Sequence, residues 1–203
     1  MDILQGRLMR LEVRPANWTA FNEVMGEKGG CGGCWCMLWR LSRKAWESGA
    51  GESNRDAMKA LFQDSRVPGL IGWIENEPVG WIQVDERIAF PRLANSRILK
   101  PIDDAPVWSI ACFFIKKGLR RKGASIPMLR AACDFAAENG ATIIEGYPID
   151  TTKERYPSVY AWTGFLGSFR SVGFEEVARR SPTRPIMRKR LMVVTEPGGY
   201  RLE

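Results

Sequence analysis

Histidine is missing altogether from this chain of 203 residues. That excludes Ser-His-Asp and Cys-His catalysis and removes the commonest metal ligand. Any proton transfer must run through carboxylate, tyrosine, cysteine, lysine or water. No apolar run approaches the ~20 residues that a membrane-spanning helix needs. The amino-terminal stretch MDILQGRLMRLEV has an acidic second residue and lacks the uninterrupted apolar core of a signal peptide. Low-complexity segments and internal repeats are absent as well. The expectation is a cytoplasmic protein with no membrane partner.

Cysteine is limited to Cys31, Cys34, Cys36, Cys112 and Cys133. The cluster CGGCWC has C-x-x-C-x-C spacing, but structural zinc takes four ligands and no second Cys/His pair lies nearby, so no metal is expected. A strand-like alternation follows the CxxC where a thioredoxin-like unit would place a helix. In the cytoplasm these read as reduced thiols, with Cys112 and Cys133 in apolar patterns of core type.

What is present bounds the class. Hydrophobic residues make up 45% of the chain, enough for a real core, and the length fits one domain, expected over residues 1–195 with a loose tail at 196–203. Lys and Arg number 30 against 23 Asp and Glu, a net charge of +7. The cations concentrate at residues 116–122 and 179–190. Neither concentration interleaves aromatics in the way a nucleic-acid surface does, and no nucleic-acid partner is expected.

The run VWSIACFFIKKGLRRKGAS, residues 107–125, carries the most information. An apolar strand ends at Ile115, a basic turn follows, and a helical pattern opens at Ser125. Pro127 fits only a first helical turn, which independently fixes that start. Gly123 lets the backbone approach a ligand with no Cβ in the way. The free N–H groups of the new helix, with Arg120, Arg121 and Lys122 beside them, suit a phosphate. The GxxxxGK[ST] spacing of a P-loop and the GxGxxG of a dinucleotide fold are both missing.

Around this run the chain reads as a strand over 8–14, a helix opened by Pro15, extended or irregular structure over 34–41, and a helix over 55–62 capped by Ser53 or Asn54. A hairpin over 70–84 turning at Asn76 and Glu77 comes next, then irregular chain over 85–105. After the helix from Ser125, in which Ile126, Leu129, Cys133 and Ala136 recur at helical spacing, come a strand over 141–147, a short helix near 160–172, and two strands over 175–181 and 185–193.

Arg120-x-x-Gly123-x-Ser125, directly after a hydrophobic strand, resembles the acyl-CoA signature of the GNAT N-acetyltransferase superfamily, with Ser125 where members carry Gly or Ala. The order of elements matches over nearly the whole chain. The resemblance implies an α/β (α+β) GNAT fold, with a central mixed, mostly antiparallel sheet whose middle strands splay apart, and flanking helices. It implies an acetyl-CoA-dependent N-acetyltransferase, with direct attack by a primary amine in a ternary complex. Implied cofactor contacts are Phe113, Phe114 and Ile115, whose backbone pairs with the pantetheine arm, the turn residues Arg120, Arg121, Lys122, Gly123, Ala124 and Ser125, and Phe169. The N–H near Phe114 would polarise the thioester carbonyl.

The acceptor amine must lose a proton, and Glu145 is the candidate base: strand alternation puts it on one face with Ile143 and Tyr147. A Glu ion-paired at a strand end is the competing reading. Family members commonly protonate the departing thiolate with a Tyr five residues before the Phe of a terminal Gly-Phe; here that position is Phe169, in SFRSVGF. Tyr160 is the candidate acid in its place, with Tyr156 nearby, and water is the other route. The acceptor, a small-molecule or peptide amine, is expected between the N-terminal half and residues 85–105. Trp18, Trp35, Trp39, Trp81 and Trp108 offer apolar wall, and Asp85, Glu86, Asp103 and Asp104 could hold an amine. A homodimer is compatible with this reading. A non-catalytic acyl-CoA-binding or sensing domain of the same fold is the alternative.

Overall fold

In the computed structural model, residues 11–64, 67–151 and 161–192 are described. Seven strands form one sheet in the order β1-β2-β3-β4-β5-β7-β6. They are β1 (Glu12–Pro15), β2 (Gly69–Ile74), β3 (Glu77–Glu86), β4 (Trp108–Ile115), β5 (Ile143–Gly146), β6 (Glu175–Arg179) and β7 (Pro185–Arg190). Every pairing is antiparallel except β4 with β5. The crossover between those two strands is the helix that opens at Ser125, since parallel neighbours need a long connection. This is the mixed, mostly antiparallel sheet with flanking helices that the family resemblance implied. No helix among the described residues is long and apolar enough to cross a membrane.

Among the described residues, six α-helices accompany the sheet: α1 (Trp18–Met25), α2 (Arg43–Ser48), α3 (Glu52–Gln63), α4 (Pro91–Ala94), α5 (Ser125–Glu138) and α6 (Leu166–Ser171). Asn17 caps α1, its side chain accepting the Ala20 N–H at 2.9 Å, so the helix starts three residues after Pro15, which ends β1. Ser42 caps α2 through the Ala45 N–H. α5 buries Met128, Leu129, Ala132, Cys133 and Ala136 against one face of the sheet, while Phe21, Met25, Met58 and Trp81 centre the cluster on the other. Leaving water is the main favourable term for both layers, at roughly 25 cal/mol per Å² of apolar surface.

Several expectations are corrected. α3 begins at Glu52, so Asn54 lies within it; its buried amide instead donates to the carbonyls of Gly33 and Trp46, both at 3.1 Å. α2 occupies chain to which the sequence reading gave no element. Of the two readings of residues 34–41, extended or irregular, the irregular one holds: they form turns, with Trp35 and Cys36 in the left-handed region at φ 48° and 55°, where no strand can run. The hairpin turns at Glu75 and Asn76, both left-handed, one residue before the expected pair. The expected tail at 196–203 lies outside the described residues.

The register of β3 on β4 slips once, pairing Gln83 with Cys112 but Val84 with Ile110, so that Ala111 is a bulge. The extra residue reverses the side-chain alternation. Ile110, Phe113 and Ile115 face the α5 layer, while Cys112 and Phe114 face α1. Pairing of β4 with β5 also stops here, at Ile110 and Gly146. From Ala111 onward β4 has lost its neighbour on that side, and the sheet opens.

Candidate active site

The opening between β4 and β5 leads into a cavity of about 640 Å³. Its length is bounded by three pieces of chain: β4 from Ala111 to Ile115, the turn into α5, and the glycine- and cysteine-rich loop before α2. Phe113, Phe114, Ile115, Arg120, Arg121, Gly123, Ala124 and Ser125 all line it. Eight residues expected to hold the cofactor are thus brought together, although ten positions of chain separate the strand from the far end of the turn. Lys122 is exposed on the same turn, outside the lining.

The turn is basic and irregular in its backbone. Arg121 (φ 63°) and Gly123 (φ 82°) are left-handed and Ala124 is right-handed, an alternation that curls successive amides around a concavity. Among the described residues, no protein acceptor is hydrogen-bonded to the backbone N–H of Arg121, Lys122, Gly123, Ala124 or Ser125. A Cβ built on Gly123 meets nothing within 4 Å, so the glycine faces open space. Arg120 folds back, its Nε donating to the Ile115 carbonyl at 2.8 Å, and Ser125 Oγ lies 3.0 Å from Ser168 Oγ, tying the start of α5 to α6.

Along β4 the amides alternate. Lys116 N–H donates to Val79 of β3, and Phe113 N–H donates to the Trp162 carbonyl at 2.6 Å, on the opposite side. The Phe114 amide therefore points to β3 and not into the gap, contrary to expectation. Ile115 shares the side of Phe113, and that edge is the one open to the cavity.

Glu145 does not reach the cavity. Its side chain is 1% exposed and lies between two guanidiniums: Arg87, whose Nη1 donates to Oε2, and Arg188, whose Nε donates to Oε1 at 2.7 Å. Tyr147 donates to Oε2 at 2.8 Å and lies 2.9 Å from Ser109 Oγ. Burial and the Glu145 charge push the Tyr147 phenol well up, so it stays protonated. Arg188 also grips Asp103 at 2.6 and 2.8 Å, which holds the Asp103 carboxyl below its ordinary value. The alternation that set Glu145 beside Tyr147 is as expected, but the pair anchors β5 to β7.

Phe169 is also misplaced by the sequence reading. It is fully buried, 5.0 Å from the Phe174 ring and 6.4 Å from that of Phe113, and it is not part of the cavity wall. Gly146 explains this: a Cβ there would sit 2.0 Å from the Phe169 ring, so the missing side chain is the space the ring fills. Tyr160 and Tyr156 lie outside the described residues.

The acceptor wall differs from expectation. Of the five candidate tryptophans only Trp39 lines the cavity; Trp35 and Trp81 are buried beneath it, Trp18 packs on Phe21 and Phe62, and Trp108 on Phe135. Trp46, on α2, and Trp162 take the remaining places. Asp85 is paired with Arg40 at 2.8 Å, and none of Asp85, Glu86, Asp103 or Asp104 is in the wall. Four of the five thiols are in it: Cys31, Cys34, Cys36 and Cys112. Cys36 and Cys112 Sγ lie 3.1 Å apart. Among the described residues no group of three or more His, Cys, Asp or Glu side chains is placed to hold a metal ion.

Burial pushes the Cys34 thiol up, Cys36 well up and Cys133 up to about 11, whereas Cys31 is exposed. Since the thiolate is the reactive form, iodoacetamide on the folded protein near neutral pH is expected to alkylate Cys31 first. Peptide mass mapping checks this, and equally fast labelling of Cys36 would refute it.

The family model described as the Acetyltransferase (GNAT) family matches residues 35–163. The chain is similar to the PaiA N-acetyltransferase of Thermoplasma acidophilum in complex with coenzyme A: 15% identity, TM-score 0.52, covering 90% of this chain and 99% of that one. An acetyltransferase of the GNAT family from Streptococcus pneumoniae aligns at 11% identity and TM-score 0.54, over 90% of this chain and all of that one. An aminoglycoside N-acetyltransferase in complex with CoA aligns at 14% identity and TM-score 0.52, over 87% and 95%. These identities speak to the fold alone. No curated protein matches the chain. The sheet that opens between β4 and β5 and a family model spanning more than half the length lead to one assignment: the chain belongs to the GNAT family of acetyltransferases.

Proposed function

We propose that the protein transfers an acetyl group from acetyl-CoA to an amine by direct attack in a ternary complex. The observation that carries this reading is the row of five unpaired amides at residues 121–125, opening into a cavity edged by the free side of β4. Those donors, with Arg120 and Arg121, would hold the pyrophosphate at the head of α5. Acetyl-CoA supplies the activated thioester. The chain's own part is to lay the arm along the β4 edge at Phe113 to Ile115, keep water from the thioester with the tryptophan wall, and orient the acceptor across the gap.

With Glu145 tied between arginines, the attacking amine must arrive neutral or pass its proton to water. The CoA thiolate, with a pKa of about 8.5 by analogy with a free thiol, can leave near neutral pH without a side-chain acid. Proton transfer by Tyr160 is compatible with this scheme and not required by it.

A second reading, an acyl-CoA sensor without turnover, is favoured by one contact: the Trp162 carbonyl already accepts the Phe113 N–H on the edge where the arm would pair. Calorimetric titration with acetyl-CoA, combined with thiol release in the presence of amines, separates the two. We expect dissociation constants in the micromolar range, about −8 kcal/mol, and amine-dependent thiol release. Binding without release from any amine would establish the sensor; no binding would remove both.

A further inference from the structure

Cys36 and Cys112 are 76 positions apart in the chain, yet their sulfurs lie 3.1 Å from each other. Three features of the fold bring them together. The extra residue at Ala111 turns Cys112 away from the α5 layer, which Ile110 faces, and onto the α1 layer that holds Cys36. Trp35 and Cys36 are both left-handed, at φ 48° and 55°, a backbone that non-glycine residues keep only where their surroundings hold them to it. Gln83, the register partner of Cys112 on β3, donates its side-chain amide to the Cys36 carbonyl at 3.1 Å and pins the loop above the strand.

Both thiols are screened from bulk solvent, at 5% and 9% exposure, and both line the cavity, which gives a small oxidant a path to them. Among the described residues they are the one pair of thiols in contact. Cys31 is exposed, and Cys133 is buried in the other core layer, on α5. Cys34 also lines the cavity and is the competing partner. The sulfurs of a disulfide stand at about 2.05 Å, so bonding Cys36 to Cys112 takes about 1 Å of approach.

We propose that Cys36 and Cys112 form a redox-active dithiol, which closes to a disulfide under hydrogen peroxide and reopens with a thiol reductant. One sulfur, as thiolate, attacks a peroxide oxygen: the S–O bond forms, the O–O bond breaks, and water leaves a sulfenic acid behind. The second sulfur attacks the first, the S–S bond forms, the S–O bond breaks, and a second water departs. Two electrons pass from the sulfurs to the peroxide, and the two thiol protons leave in the water. Burial pushes the Cys36 thiol well up, and a thiol held that way is a slow nucleophile near neutral pH. The second step is favoured because the resolving sulfur is already beside the first. The bond joins the outer loop of the cavity to β4, so its closing fixes that loop on the sheet.

The test holds the reduced full chain in excess hydrogen peroxide, quenches it by alkylation in denaturant, and digests it without reductant. Fragmentation of the linked peptide then assigns its sulfurs. We expect a Cys36–Cys112 link that dithiothreitol removes, that persists in Cys34→Ser and that is absent from Cys36→Ser. The linked protein should melt about 5–10 °C above the reduced one, because the bond closes a long loop in the unfolded chain. The fragment assignment on the parent chain decides the matter even where Cys36→Ser does not fold. Cys112 linked to Cys31 or Cys34, or Cys36 and Cys112 still free once Cys31 is fully oxidised, overturns the proposal. A Cys36–Cys112 link that lowers the melting temperature overturns it too, since the loop would then have left its native place to make the bond.

Discussion

Glu145→Gln is expected to cost the protein about 3 kcal/mol of stability. At about 2–4 °C per kcal/mol for a chain of this size, that is a fall in melting temperature of about 6–12 °C. Removing one partner of a buried ion pair leaves the others as uncompensated charges, here Arg87 and Arg188 on either side of a carboxylate that is 1% exposed. The estimate sits at the low end of the usual range because both guanidiniums keep 13% exposure and Arg188 retains Asp103. Arg87 also keeps the Leu99 carbonyl at 2.7 Å. The glutamine amide would still accept from Tyr147, but its NH₂ would face a guanidinium donor. Turnover by the fraction that remains folded should stay within a few-fold of the parent, since the side chain does not line the cavity. Calorimetric melting and assays below the transition check both parts. Unchanged melting with turnover lost most heavily at low pH would restore Glu145 as the base.

The sequence is most legible where several local rules agree. Strand β4, the turn and helix α5 were readable because an apolar run, a basic turn, Gly123 and Pro127 all place the same boundary, and α5 begins at Ser125 as that agreement requires. The amides at the helix start were legible with it, because they follow from backbone geometry and not from distant packing. What stayed hidden depends on partners far along the chain. Nothing in TIIEGYP tells that Arg87 and Arg188 converge on Glu145 across 58 and 43 residues. The Ala111 bulge leaves no mark in WSIACFFI, yet it reverses which side chains face each layer and turns the Phe114 amide away from the gap.

Phe169 was placed by its offset from the terminal Gly-Phe, and the offset says nothing of Gly146, whose missing side chain gives the ring its seat. The tryptophan wall misled for a related reason. Trp46 sits in RKAWES, too short and too charged to announce a helix, while Trp18 and Trp81 look equally apolar and are spent on the core. The cysteine cluster did offer a signal. Four glycines at positions 29, 30, 32 and 33, each left-handed, mark a loop whose path only tertiary contacts could hold, and that loop forms the cavity's outer wall.

Gly123→Val should lower acetyl-CoA affinity by about 100-fold or more while leaving the fold intact. Two effects act together. At φ 82° an L side chain is strained, and β-branching adds to that strain, so the backbone of the turn relaxes away from its native conformation. The new side chain also projects into the open space that Gly123 faces, where the pyrophosphate would lie. Each charge-assisted bond lost from such a cradle is worth about 1.5–3 kcal/mol, and about 2.7 kcal/mol is already a hundredfold. The fold survives because that Cβ meets no protein atom within 4 Å and the turn is exposed, so neither core layer is disturbed. Gly118→Ala is the control: it lies on the same basic run, its added Cβ also meets nothing within 4 Å, and it has no left-handed φ and no place in the cavity wall. Calorimetry should find the control within about twofold of the parent and the Gly123 variant beyond reach of saturation. Equal affinity in all three proteins, with far-UV dichroism unchanged, would take the anion site away from this turn.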